Sequence, residues 1–141
     1  MTEYLTETRI LAPAERVWAV LTDAAAYSKW NPEIVRIDGL IAPNARITAH
    51  VRLGTGVVRR VPQRVTVLDP LRRMEWIGGL PLGLFVGRRT FTLTPTAEGT
   101  EFHLHLQMTG PLARWILKSV GDRQPEIDAF TQSLKVYAEH T

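Results

Sequence analysis

Arg89 stands in the stretch FVGRRTFTL, where Phe91 and Leu93 set the parity of an apolar face and carry Gly87 and Arg89 onto the same side. A guanidinium on an inward face needs a partner, because an unpaired buried charge is costly. Two readings follow from that need. Arg89 is a structural ion pair or reaches a rim, or it anchors the carboxylate, phosphate or phenolate end of a ligand through paired hydrogen bonds. Tyr27, if its hydroxyl turns inward, adds a second polar contact, and Arg89 and Tyr27 are the two groups that could polarise a carbonyl. The four histidines offer less. His103 and His105 make a His-x-His, half a metal site by residue type, but they alternate with Phe102, Leu104 and Leu106 and so belong to the wet face. His50 shares its face with Arg46 and Arg52, and His140 is next to the C-terminus. The chain has no HExxH, no Gly-rich phosphate loop and no Ser-His-Asp or paired-carboxylate spacing above chance, so neither metal nor cofactor is expected.

The elements that must position these residues read off the period of the pattern. Residues 3–11 alternate as a strand, and Pro13 suits the first turn of the helix PAERVWAVLTD. Asp23 is placed to cap a second short helix, AAAYSKW, which must end at Asn31 because the residue before Pro32 is pushed out of the helical region. From there to Gly110 the period is two, through turns at GTG, DPLRR and AEG, which predicts an antiparallel meander of about six strands, about seven in all. The sharpest alternation sets Phe102, Leu104, Leu106 and Met108 against Glu101, His103, His105 and Gln107. After Gly110-Pro111 a helical stripe of Ile116, Val120, Ile127, Phe130, Leu134 and Tyr137 begins, with a kink or short break expected at Gly121 and Pro125.

Composition bounds the rest. A chain of 141 residues, 45% hydrophobic and without cysteine, fits one domain, residues 1–141, with a real core and no disulfides. The N-terminus lacks a signal-peptide pattern and no window is apolar enough to span a membrane, so the expected location is the cytoplasm. The net charge of +3 conceals ten arginines against three acids between Arg36 and Arg89. Arg46, Arg52, Arg60 and Arg64 alternate with inward Val and Ile and should stud the outer sheet face, without the interleaved aromatics that stack single-stranded nucleic acid.

The ordered segments ILAPAERVWAVLTD, WNP at 30–32, GRRTFTLTP at 87–95, GTEF at 99–102 and LKVYAE at 134–139 resemble the START-like superfamily, also called SRPBCC: polyketide cyclase/dehydratase and lipid-transport proteins. The resemblance spans nearly the whole chain. It implies an α+β helix-grip fold, in which a curved antiparallel sheet grips a long C-terminal helix, with two short helices after the first strand and a deep apolar pocket between sheet and helix. Within it Trp30, Met74, Trp76, Phe91, Phe102, Leu104, Leu106, Met108, Ile127, Phe130 and Leu134 are expected to line core and pocket together with Arg89. Leu104 and Leu106 stand where relatives carry polar residues, which favours a greasy pocket with one cationic handle. The function so implied is a carrier or sensor of a small hydrophobic molecule with an anionic or polar end. An alternative is a cyclase/dehydratase-type enzyme acting through Arg89 or Tyr27 on a polyketide-like or aromatic substrate. A third is an interaction protein using the basic sheet face for RNA, the ribosome or an acidic partner, ranked below the small molecule. The charge-free stretch 78–87 reads as a hairpin whose tip forms a flexible pocket lip, with its second half better read as plain core strand; exposed, it could touch a membrane or a second subunit, as in a homodimer.

Overall fold

In the computed structural model, which describes residues 1–140, the strict alternation of the 100–109 segment becomes strand β7 (Thr100–Thr109), with Phe102, Leu104, Leu106 and Met108 buried. Around it lies a sheet made of β1 (Thr2–Ile10), β2 (Ile34–Asp38), β3 (Arg46–Arg52), β4 (Val58–Asp69), β5 (Arg73–Leu80) and β6 (Phe85–Pro95). The seven strands run in the order β1-β7-β6-β5-β4-β3-β2, all neighbours antiparallel. Helices α1 (Ala14–Thr22) and α2 (Tyr27–Trp30) fill the crossover from β1 to β2. Asp23 does stand at the start of the 3-10 turn that precedes α2, but its side chain makes no capping hydrogen bond there.

The C-terminal helical pattern is two helices, α3 (Ala113–Val120) and α4 (Gln124–Glu139). The break follows from local chemistry. Gly121 takes φ 78° and ψ −170°, a conformation essentially confined to glycine, and Pro125 restarts the chain in the first turn of α4, where a proline is tolerated. Helix α4 buries Ile127, Phe130, Leu134 and Ala138 against the concave face of the sheet. This is the helix-grip arrangement.

Trp30 of α2 packs against the rings of α4. It is 8% exposed and lies 5.0 Å from Tyr27, 5.4 Å from Phe130 and 6.0 Å from Tyr137 between ring centroids. The Asn-Pro step that follows has its own task. Asn31 Oδ1 accepts hydrogen bonds from the backbone N–H groups of Glu33 and Ile34, which tightens the turn leading into β2. Residue 33 is thereby aimed into the protein.

Candidate functional site

Strand register explains where space is left inside the sheet. Arg89 on β6 pairs with Trp76 on β5 and Leu106 on β7, so all three share the concave face. One inward row further toward the open end, Gly87 pairs with Gly78 and with Met108. Two adjacent glycines in one row remove two side chains from the sheet interior. The result is a cavity of about 380 Å³, walled by Val51, Leu53, Val61, Phe85, Leu106 and Met108 and roofed by Ile116, Ser119 and Val120 of α3. Its size falls within the usual range for small-molecule pockets.

The polar groups on the wall are few and mostly cationic. Arg89 donates from Nη1 to Glu33 Oε1 at 2.8 Å and from Nη2 to Glu33 Oε2 at 2.7 Å. Arg123, in the break between α3 and α4, donates from Nη2 to the same Oε2 at 2.9 Å. All three side chains are buried. Burial alone would push the Glu33 carboxyl up, but Arg89 and Arg123 outweigh it and hold the carboxyl below the ordinary range. Burial likewise opposes the charge on Arg89, and Glu33 more than restores it. One carboxylate therefore serves two guanidinium groups. Arg123 Nη1 is buried without a hydrogen-bond partner, 3.9 Å from Glu126 Oε1, and Glu126 Oε2 is likewise unpartnered. Arg123 is thus held on one side by Glu33 and faces a second carboxylate, that of Glu126, in a looser ion pair on the other. Toward the mouth, Arg59 pairs across β3 with buried Val51 and so shares its inward parity, while Gln63 pairs with buried Ile47.

The residues singled out from the sequence divide into two groups. Arg89, Leu106 and Met108 line the cavity. Trp30, Met74, Trp76, Phe91, Phe102, Leu104, Ile127, Phe130 and Leu134 form the packed core beneath α4. The space under α4 is solid because these rings fill it, with Trp76 and Phe91 at 4.9 Å and Phe91 and Phe130 at 5.9 Å. The cavity is displaced toward α3 for that reason. Tyr27 also lies in the core, where its hydroxyl donates to the carbonyl of Leu21 at 2.7 Å; burial pushes its phenol far up, an effect that Arg89 only partly offsets. His103 and His105 stand on the outer face against Glu7 and Glu3 of β1.

Glu33 and Arg123 escaped the sequence reading. A signal existed for Glu33, an acid set between the Asn-Pro turn and the buried Ile34. Arg123 had only its neighbours Gly121 and Pro125, which mark a break without saying where the side chain between them points.

The chain matches the family model described as polyketide cyclase / dehydrase and lipid transport over residues 1–139. Among curated protein sequences none is similar enough to count as a match. Several solved structures share the fold. A Mesorhizobium loti protein is 22% identical with a TM-score of 0.76, over 99% of this chain and 98% of its own. The Zhui aromatase/cyclase from Streptomyces is 18% identical with a TM-score of 0.76, over 98% of this chain and 93% of its own. A START superfamily protein from Mycobacterium smegmatis is 15% identical with a TM-score of 0.72, over 97% of both chains.

Proposed function

We propose that this chain, which belongs to the polyketide cyclase/dehydrase and lipid transport family, is a carrier or sensor that holds a small hydrophobic molecule in the cavity under α3 with an anionic or polar end at Arg123. The observation that carries this reading is a largely apolar cavity whose lining includes the buried cation Arg123, its Nη1 3.9 Å from Glu126 Oε1 and making no hydrogen bond. A ligand carboxylate or phenolate reaching that donor gains a charge-assisted hydrogen bond, worth about 1.5–3 kcal/mol net. The apolar body contributes by leaving water, at roughly 25 cal/mol per Å² buried. In this arrangement Arg89 acts on the ligand indirectly. Its two Nη groups are committed to Glu33, which in turn fixes the Arg123 guanidinium.

The same geometry supports binding over the cyclase-type enzyme. Tyr27 donates to a main-chain carbonyl in the core, and Arg89 is chelated by Glu33. Neither group meets a substrate carbonyl without first giving up a buried partner.

The test is displacement of an environment-sensitive apolar fluorophore by chain-matched acids and alcohols, with native mass spectrometry to identify any co-purifying molecule. Gly87→Leu should abolish fluorophore binding, since a side chain at position 87 grows into the cavity and its Cβ meets nothing closer than 3.8 Å. Arg123→Met should weaken the acid about tenfold or more while leaving the alcohol nearly unchanged. Fluorophore binding that survives Gly87→Leu would place the ligand elsewhere and end this reading.

A further inference from the structure

Six of the exposed large apolar side chains gather at the end of the sheet where the cavity opens: Val57 and Val58 of the β3–β4 hairpin, Leu80, Leu82 and Leu84 of the β5–β6 hairpin, and Trp115 of α3. The hairpin and the helix are joined, since the Leu112 N–H donates to the Leu84 carbonyl at 2.9 Å. Leu82 is 96% exposed at the turn apex, with φ +60°. A leucine held in left-handed backbone with its side chain wholly in water is costly twice over, and such an outlier points to use. Trp115 is 73% exposed and shares the outward face of α3 with Arg114 and Lys118, while Ile116, Ser119 and Val120 face the cavity.

The charges of these segments have one sign. Residues 52–60, 78–87 and 110–121 carry Arg52, Arg59, Arg60, Arg114 and Lys118, all exposed, and no acid. From this juxtaposition we propose that the cavity mouth is a docking surface for an anionic lipid bilayer, with Leu82 and Trp115 entering the interface and the basic ring meeting the headgroups. A bilayer fits better than an acidic protein because the apolar groups stand proud at the tips of separate segments. A fluid interface accepts such projections without hollows shaped to match, whereas a protein partner must supply a pocket for each anchor. The orientation sets the cavity mouth against the membrane, so a hydrophobic molecule passes between lipid and protein without crossing water. Of the outer-face arginines, Arg52 and Arg60 lie at the mouth end of β3 and β4, whereas Arg46 pairs with Arg64 at the far end.

The purified full chain is mixed with vesicles of phosphatidylcholine alone or with added phosphatidylglycerol, and bound protein is read by flotation. Binding is expected to the anionic vesicles and to weaken with salt. Leu82→Asp should lower it roughly tenfold, and each of Arg59→Gln and Arg60→Gln about fivefold. Of the four tryptophans Trp115 is the most exposed, so vesicles should shift its emission to the blue, and Trp115→Phe should abolish that shift. The double variant Arg46→Gln/Arg64→Gln should float like the parent. So should Gly87→Leu, which closes the cavity and leaves the surface intact, so the docking surface and the cavity fail separately. Absence of flotation by folded protein would overturn the proposal. So would equal loss in the Arg46/Arg64 variant, or capture of an acidic protein by the same residues without vesicle binding.

Discussion

Glu33 is the residue on which the site depends. It is buried and holds two guanidinium groups, and removing its charge leaves Arg89 uncompensated and Arg123 with only the looser pair to Glu126. Glu33→Gln should cost about 3–5 kcal/mol in urea unfolding. Arg123→Met should cost clearly less, because Glu33 keeps both hydrogen bonds from Arg89; equal losses would show that the triad is not organised around the carboxylate. Acid should act on the same group. Its folded pKa is depressed below the ordinary 4.5, so the stability it confers is complete above pH 4.5 and is lost as pH falls through the lower folded value. A stability profile between pH 5 and pH 2 should therefore be flatter in Glu33→Gln than in the parent protein.

At the scale of elements, the two row-mates Gly78 and Gly87 shape the cavity in different ways. A Cβ at Gly87 meets ordinary contacts at 3.8 Å, whereas one at Gly78 falls 2.5 Å from the Pro62 carbonyl oxygen. Gly87→Val should be neutral or stabilising in thermal melts, since a branched residue suits a strand better than glycine, while it narrows the cavity. Gly78→Ala should destabilise, because β4 and β5 must part to admit it. Helix α3 hangs between Gly110 at φ +104° and Gly121 at φ +78°. Nothing lies within 4 Å of a Cβ at Gly121, so Gly121→Ala should cost about 1–3 kcal/mol from backbone conformation alone. A melting temperature unchanged by that substitution would mean the α3–α4 break is not held as described.

At the scale of the molecule, the buried apolar side chains of the described residues form one cluster, from Ile10 of β1 through the sheet to Ala138 of α4. Residues 1–140 should therefore unfold as one cooperative unit, with calorimetric and van't Hoff enthalpies equal; two transitions in a scan would refute this. The charge asymmetry also resolves at this scale. Part of the arginine excess is consumed on the outer face, where Arg36 pairs with Asp38 and Arg73 with Glu75. Another part, Arg89, is buried on Glu33, and Arg59 and Arg60 border the cavity.

The sequence alone determined the elements and their faces. The period-two run of 101–108 and the parity of Phe91 and Leu93 dictate which side chains go inward, because a strand cannot turn one residue over without turning all of them. The Gly121 and Pro125 break was legible for a similar reason, since both residues act on their own backbone. The partner of Arg89 was not legible. Glu33 lies 56 residues away and Arg123 a further 34 beyond Arg89, and only the curl of the sheet over α4 brings the three within hydrogen-bond reach. The place of the cavity was decided in the same way. Which apolar residues fill space and which border it depends on volumes summed across strands, and no single strand's pattern contains that sum.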